Sequence, residues 1–251
     1  MFLPDLYLKG WARRTILQPM NTHAYSTWLE IDLGAIKHNI KEIQKMTQTK
    51  VMAVIKANGY GHGVLAVAKA VTEAGAAWCG VARMEEALNL RKAGITSEIM
   101  VLGYTPPALI PEAIQNSIHV AIYDETMAKE YTEKAKKTGG RLKAHLKVET
   151  GMGRLGMPLV KAAEFLSDFQ NNESIEIDGI FTHFARADEP NSGSTQSQLD
   201  VFHRLLYQLK EAGLHPGFVH AANSAAVINF PEAYFDMVRP GIAIFGLDPA
   251  P

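Results

Sequence analysis

Several things are scarce in this sequence, and each scarcity excludes something. Of 251 residues one is cysteine, Cys79. A lone cysteine closes no internal disulfide, which fits a reducing compartment and a cytoplasmic protein. Following Trp78 in an apolar stretch, it reads as a buried, inert packing group. Twenty-five basic residues face 26 acidic ones, for a formal net charge of -1. With no basic surplus, nucleic acid is not an expected partner. No apolar run reaches membrane-spanning length, so a membrane is not expected either. Arg13 and Arg14 stand in tandem, but Gln18, Pro19, Asn21, Thr22 and His23 follow where a twin-arginine export signal needs an apolar segment. Residues 1–26 therefore read as an unpatterned extension outside the core. The nine histidines form no His-x-x-x-His, and Cys-x-x-Cys is absent, so no metal site is expected. The weaker metal alternative is "HFARADE", which sets Asp188 and Glu189 near His183.

What is present is a rhythm. From Lys50 onward, short apolar runs alternate with amphipathic stretches, punctuated by Gly, Asn or Pro. The runs are "VMAVI" (51–55), "WCGVA" (78–82), "IMVLG" (99–103), "HVAIY" (119–123), "LKAHLKV" (142–148), "IDGIFTHF" (177–184), "GFVHAA" (217–222) and "GIAIFGL" (241–247). Their spacing of roughly 20 to 40 residues suits a strand, a helix and two short loops. Eight such units predict an α/β fold, a closed (β/α)8 TIM barrel over residues 27–251. The competing open, doubly wound sheet would carry G-x-G-x-x-G after its first strand; "GYGHG" at 59–63 has the wrong spacing. "TWLEIDL" (27–33) alternates like a further, N-terminal strand, for which a complete barrel has no slot.

Barrel chemistry collects at the C-terminal ends of the strands, and the unusual polar residues fall there. Lys56 ends the first run. Lys147 and Arg154 bracket the end of the fifth in "LKVETGMGRLG", His183 ends the sixth, Asn223 and Ser224 end the seventh in "VHAANSAA", and Arg239 leads "VRPGIAIFGL". Each has a plainer reading: a strand-end lysine is commonly a solvated terminus, a lone histidine a core residue, and "NSAA" a helix cap. Lys56 is distinguished by "ANGYGHG" behind it, a flexible turn that lets a ligand approach closely. A desolvated lysine there attacks a carbonyl to give a Schiff base. A helix start at "NSAA" and the amides of "RPGIA" form a phosphate cradle. Lysine, imidazole and phosphate cradle together describe an aldehyde-bearing phosphorylated cofactor, pyridoxal 5'-phosphate.

Through "VIKANGYGHG", "ETGMGRLG", "THFARADE", "HAANSAA" and "VRPGIAIFGL", about residues 27 to 247 resemble the alanine racemases, fold-type III pyridoxal-phosphate enzymes. The resemblance implies that Lys56 joins the cofactor's aldehyde and serves as one of two catalytic bases. It implies that Tyr60 contacts the phosphate and that Arg154 reaches the phenolic oxygen and the substrate carboxylate. Lys147 matches a position often carbamylated, steadying that arginine. The resemblance further implies that His183 lies near the pyridine ring, that Ser224 with the amides around Gly241 and Ile242 holds the phosphate, that Asn223 flanks it, and that Arg239 faces the pyridine nitrogen. The implied activity interconverts L- and D-alanine, with D-alanine supplied to peptidoglycan; serine is the alternative substrate.

The family's full-length members are head-to-tail homodimers whose second base is a tyrosine in a following β-rich domain of the partner subunit. The sequence in hand stops at Pro251, which puts that tyrosine and the isolated chain's activity and dimerisation in question. Two further departures are Glu149, where the family commonly has Asp, and Arg186, where small residues are usual and a cation near the rim would alter carboxylate binding. A non-catalytic pyridoxal-phosphate barrel or an inactive fragment is the competing functional reading.

Overall fold

A computed structural model describes residues 26–249; the expected extension at 1–26 lies outside them except for Ser26. Eight parallel strands close into a barrel: β1 (Lys50–Val54), β2 (Trp78–Val81), β3 (Glu98–Val101), β4 (Ile118–Ile122), β5 (Leu142–Glu149), β7 (Ile175–Phe181), β8 (Phe218–His220) and β9 (Met237–Val238). They pair in the order β4-β3-β2-β1-β9-β8-β7-β5, and β4 meets β5 to shut the ring. Each strand is covered by helices outside and side chains inside, which is why the runs are continuously apolar rather than alternating. The inner layer is small and distinct: Met52, Trp78, Met100, Ala121, Phe181 and Met237.

A short strand, β6 (Met157–Pro158), pairs with Val148 and Glu149 beside the barrel and ties down the glycine-rich loop 150–156. β5 and β7 slip register between Ala144 and His145, so that Asp178 is bulged out of the ladder.

Two expectations are corrected. Residues 27–32 form no strand; they are irregular, and Trp28 and Leu29 are exposed. A closed barrel has no edge to receive their backbone donors. Asp32 instead caps helix α1 (Leu33–Thr47), its carboxylate accepting from the Ala35 amide at 3.0 Å. Ile36, Ile40 and Ile43 then face the barrel at helical spacing.

The eighth strand is likewise not "GIAIFGL" but the two residues Met237–Val238. Pro240 has no N–H for a ladder, and Ile242–Phe245 curl into a 3-10 turn fastened to α1 by Asn39, which donates to Ile244 O at 3.2 Å. Arg239 consequently stands just past a strand's C-terminal end, where the other rim residues stand. Cys79 is buried as expected.

Candidate functional site

A cavity of about 500 Å³ opens at the C-terminal end of the barrel. Lys56, Tyr60, Lys147, Arg154, His183, Asn223, Ser224, Arg239, Gly241 and Ile242 all line it, so the structure brings together every site residue expected from the sequence. Among the described residues, four of its lining side chains are Lys or Arg and Asp188 is the only acid. Such a cavity favours an anion.

Lys56 differs from expectation in one respect. It is exposed rather than desolvated, standing over the open cavity. The segment behind it is not a loose turn either. Ala57, Asn58, Gly59 and Tyr60 all have positive φ, near +50° to +63°, a left-handed turn that costs L-residues roughly 1–2 kcal/mol each. Strain of this kind persists only where neighbours impose it. Glu86 accepts from the Ala57 amide at 2.6 Å through one carboxylate oxygen, and from Ala82 and Arg83 at 2.7 and 3.1 Å through the other. Asn58 Oδ1 accepts from Val64 N at 2.9 Å, and His62 stacks on Phe245. Glu86 escaped the sequence reading because nothing local sets it apart from other helix acids.

The turn carries Tyr60 across to Gly241, where a Cβ would sit 2.6 Å from the phenol oxygen; glycine is required there by space. Burial pushes the Tyr60 phenol up, so it remains a protonated donor at neutral pH. Opposite, Ser224 Oγ accepts from the Gly241 and Ala243 amides at 2.8 and 3.3 Å. Asn223 acts as the helix cap that the plainer reading foresaw, accepting from Ala226 N at 3.0 Å.

Arg239 is buried with no carboxylate among its hydrogen-bond partners. Its Nη1 donates to His220 Nδ1 at 3.1 Å, and its Nη2 to the carbonyls of Thr182 and Ala221 at 2.7 and 3.0 Å and to His183 Nδ1 at 3.3 Å. Burial pushes its pKa down to about 9, which still leaves it charged at neutral pH. Burial and the cations of Arg239, Lys147, Arg154 and Lys56 push His183 down to about 3; it is neutral. Lys147, also buried, is lowered to about 8 by burial and then by Arg154 and Arg239.

Arg154 is positioned by a loop rather than a strand. Glu149 accepts from the amides of Gly151, Met152, Gly153 and Arg154 at 2.5 to 3.3 Å. Burial alone would raise this carboxyl, but the four donors outweigh it and hold it below its ordinary value. Arg186 does not line the cavity; it pairs with Glu189 on the surface. The pairing also occupies Glu189, one of the two acids of the metal alternative.

The residues fit a phosphorylated pyridine aldehyde. They offer a primary amine at the mouth, a donor phenol over a glycine that leaves no room for a side chain, and a buried cation whose partners are all neutral. The fold and site thus define a (β/α)8 barrel with a cation-lined cavity at its C-terminal rim.

Comparison with known proteins agrees. The family described as "Alanine racemase, N-terminal domain" matches residues 31–249. Alanine racemases of Methanococcus maripaludis and Symbiobacterium thermophilum are 45% and 42% identical, each over 90% of this chain and over 62% and 60% of their own lengths. The solved alanine racemase of Streptomyces lavendulae superposes with a TM-score of 0.83 at 38% identity, covering 87% of this chain and 58% of that one. That of Bacillus anthracis, with bound L-Ala-P, gives 0.81 at 38%, covering 87% and 57%. The chain belongs to the alanine racemase family. It spans about three fifths of the length of the curated relatives it matches.

Proposed function

We propose that the chain binds pyridoxal 5'-phosphate in this cavity and forms the lysine-base half of an alanine racemase. The observation that carries the reading is the convergence of the Lys56, Arg154 and Arg239 cations on one cavity. Their charge suits a phosphate together with an amino-acid carboxylate. Bound there, the cofactor supplies a conjugated ring that withdraws electrons from the substrate's α-carbon.

Lys56 would hold the cofactor's aldehyde carbon, while Tyr60, Ser224 and the backbone at Gly241 and Ile242 would hold its phosphate, with Asn223 shaping the wall. Arg239 presents only donors, so it would leave a ring nitrogen facing it without a proton, favouring removal and return of the α-proton over transamination. Arg154 would take the substrate carboxylate, and neutral His183 would lie against the ring. The Lys56 Nζ moves the α-proton on one face of the substrate.

We further assign carbamylation to Lys147, alanine rather than serine as substrate, supply of D-alanine to peptidoglycan as the role, and the cytoplasm as location. The functional protein is assigned as a homodimer whose second base comes from the partner subunit. Absorbance tests the cofactor reading. The chain loaded with pyridoxal phosphate should show a visible band that borohydride bleaches and that Lys56→Ala abolishes; a band surviving in Lys56→Ala places the cofactor elsewhere.

A further inference from the structure

Beneath the cavity, the barrel is filled by imidazoles. His220, His145 and His119 are buried and descend from Arg239 toward the opposite mouth. His145 Nδ1 lies 2.8 Å from His220 Nε2, and His119 Nε2 lies 3.2 Å from a Glu98 carboxylate oxygen. Phe181 stacks on His220 with an interplanar angle of 3°, and Trp78 meets both His119 and His145 edge-on. Room for the middle ring is cut from the barrel wall: a Cβ on Gly179 would come within 2.3 Å of His145 Nδ1.

The tautomers of these rings follow from one end. A guanidinium only donates, so His220 Nδ1 must accept from Arg239. Neutral His220 then carries its proton on Nε2 and donates to His145 Nδ1. His145, neutral in turn, is left with Nε2–H. From the other end, His119 Nε2 lies 3.2 Å from a Glu98 oxygen and its Nδ1 3.5 Å from an Asp178 oxygen; a proton given to the shorter contact leaves the lone pair on Nδ1. His145 Nε2 and His119 Nδ1 are the two imidazole nitrogens in this column with no hydrogen-bond partner. They are one donor and one acceptor, within 4.8 Å of each other and of an Asp178 oxygen, a span that one bridging water covers. Burial holds all three rings neutral, with His119 pushed down to about 3 by burial and then by Lys143 and Arg91.

The trio His119, His145 and Asp178 has the make-up of a transition-metal site. A metal there needs a lone pair on His145 Nε2, which would turn His220 Nδ1 into a donor facing Arg239. The column and the metal site are therefore mutually exclusive.

We infer that His220, His145 and His119 are positioning residues, a single-tautomer hydrogen-bond column that fixes the Arg239 guanidinium from below and anchors it to Glu98 and Asp178 at the far mouth. The inference rests on the proposed reading only in giving Arg239 its place beside the cofactor ring.

The test is long-range ¹H–¹⁵N correlation of imidazole nitrogens in the ¹⁵N-labelled, cofactor-free chain at pH 7. All three histidines should show the Nε2–H tautomer and stay unmoved by added Zn²⁺. An Nδ1–H tautomer at any of them, or Zn²⁺ coordination through His145 Nε2, overturns the column whether or not the chain binds a cofactor. In the second arm, His145→Phe keeps ring volume and removes the acceptor; it should weaken pyridoxal-phosphate affinity on the order of 10-fold, with Trp78→Phe as a packing control that leaves affinity unchanged. Wild-type affinity in His145→Phe contradicts positioning. Should His145→Phe not fold, the tautomers of the native chain still decide.

Discussion

Lys147 is the residue whose surroundings are hardest to reconcile with its own charge. Its amine is buried near Arg154 and Arg239, and the pKa falls from 10.5 to about 8. Below about pH 8 the ammonium is charged in both folded and unfolded chains, and the folded chain bears an unfavourable buried cation. That penalty lifts as pH rises from about 8 toward 10.5, because the unfolded chain then holds the extra proton. Carbamylation removes it differently: the free amine nitrogen bonds to the carbon of CO2, one proton leaves, and a carboxylate replaces the cation between two arginines. Melting measurements separate the states. In CO2-free buffer at pH 7, Lys147→Met should be more stable than the parent by roughly 1–4 kcal/mol. Bicarbonate should stabilise the parent and leave Lys147→Met unmoved; a parent indifferent to bicarbonate contradicts the modification.

Among elements, two acid-braced turns set the site. Glu149 gathers four amides of the glycine loop that carries Arg154, and Glu86 holds the left-handed turn behind Lys56. Each should cost roughly 2 kcal/mol when changed to alanine, read by denaturant unfolding, and each should also weaken pyridoxal-phosphate binding. Glu149→Ala stability matching the parent would mean the loop is held by β6 alone. Because the donors keep the Glu149 carboxyl below its ordinary value, its contribution is complete above about pH 4.5 and disappears as pH falls through the folded value. The loop's acid was visible in "ETGMGRLG", and the family's usual Asp marks the same place. The turn behind Lys56 was legible only as glycine-rich. Its handedness depends on Glu86, thirty positions downstream of Lys56, and no local pattern announces a brace of that kind.

For the whole molecule, the barrel was written in the periodicity, because strands enclosed on both faces must be apolar throughout. The two misplaced strands failed for the complementary reason. "TWLEIDL" alternates well but finds no edge, and "GIAIF" is apolar because Ile244 buries against α1, not because it pairs. The true closing strand, Met237–Val238, is too short to show any period. The site was readable because barrel chemistry gathers at strand ends, which singled out seven of the ten residues that line the cavity; the family resemblance added Tyr60 and named Gly241 and Ile242. The histidine column was not, since its members sit singly in three different runs and only closure of the sheet stacks them.

The central claim, that the amine at position 56 takes the cofactor, is tested most directly by reducing the pyridoxal-phosphate-loaded chain with borohydride and mapping the pyridoxyl group by peptide mass spectrometry. The label should lie on Lys56 at about one per chain; a label on another lysine, or none on any, would contradict the account.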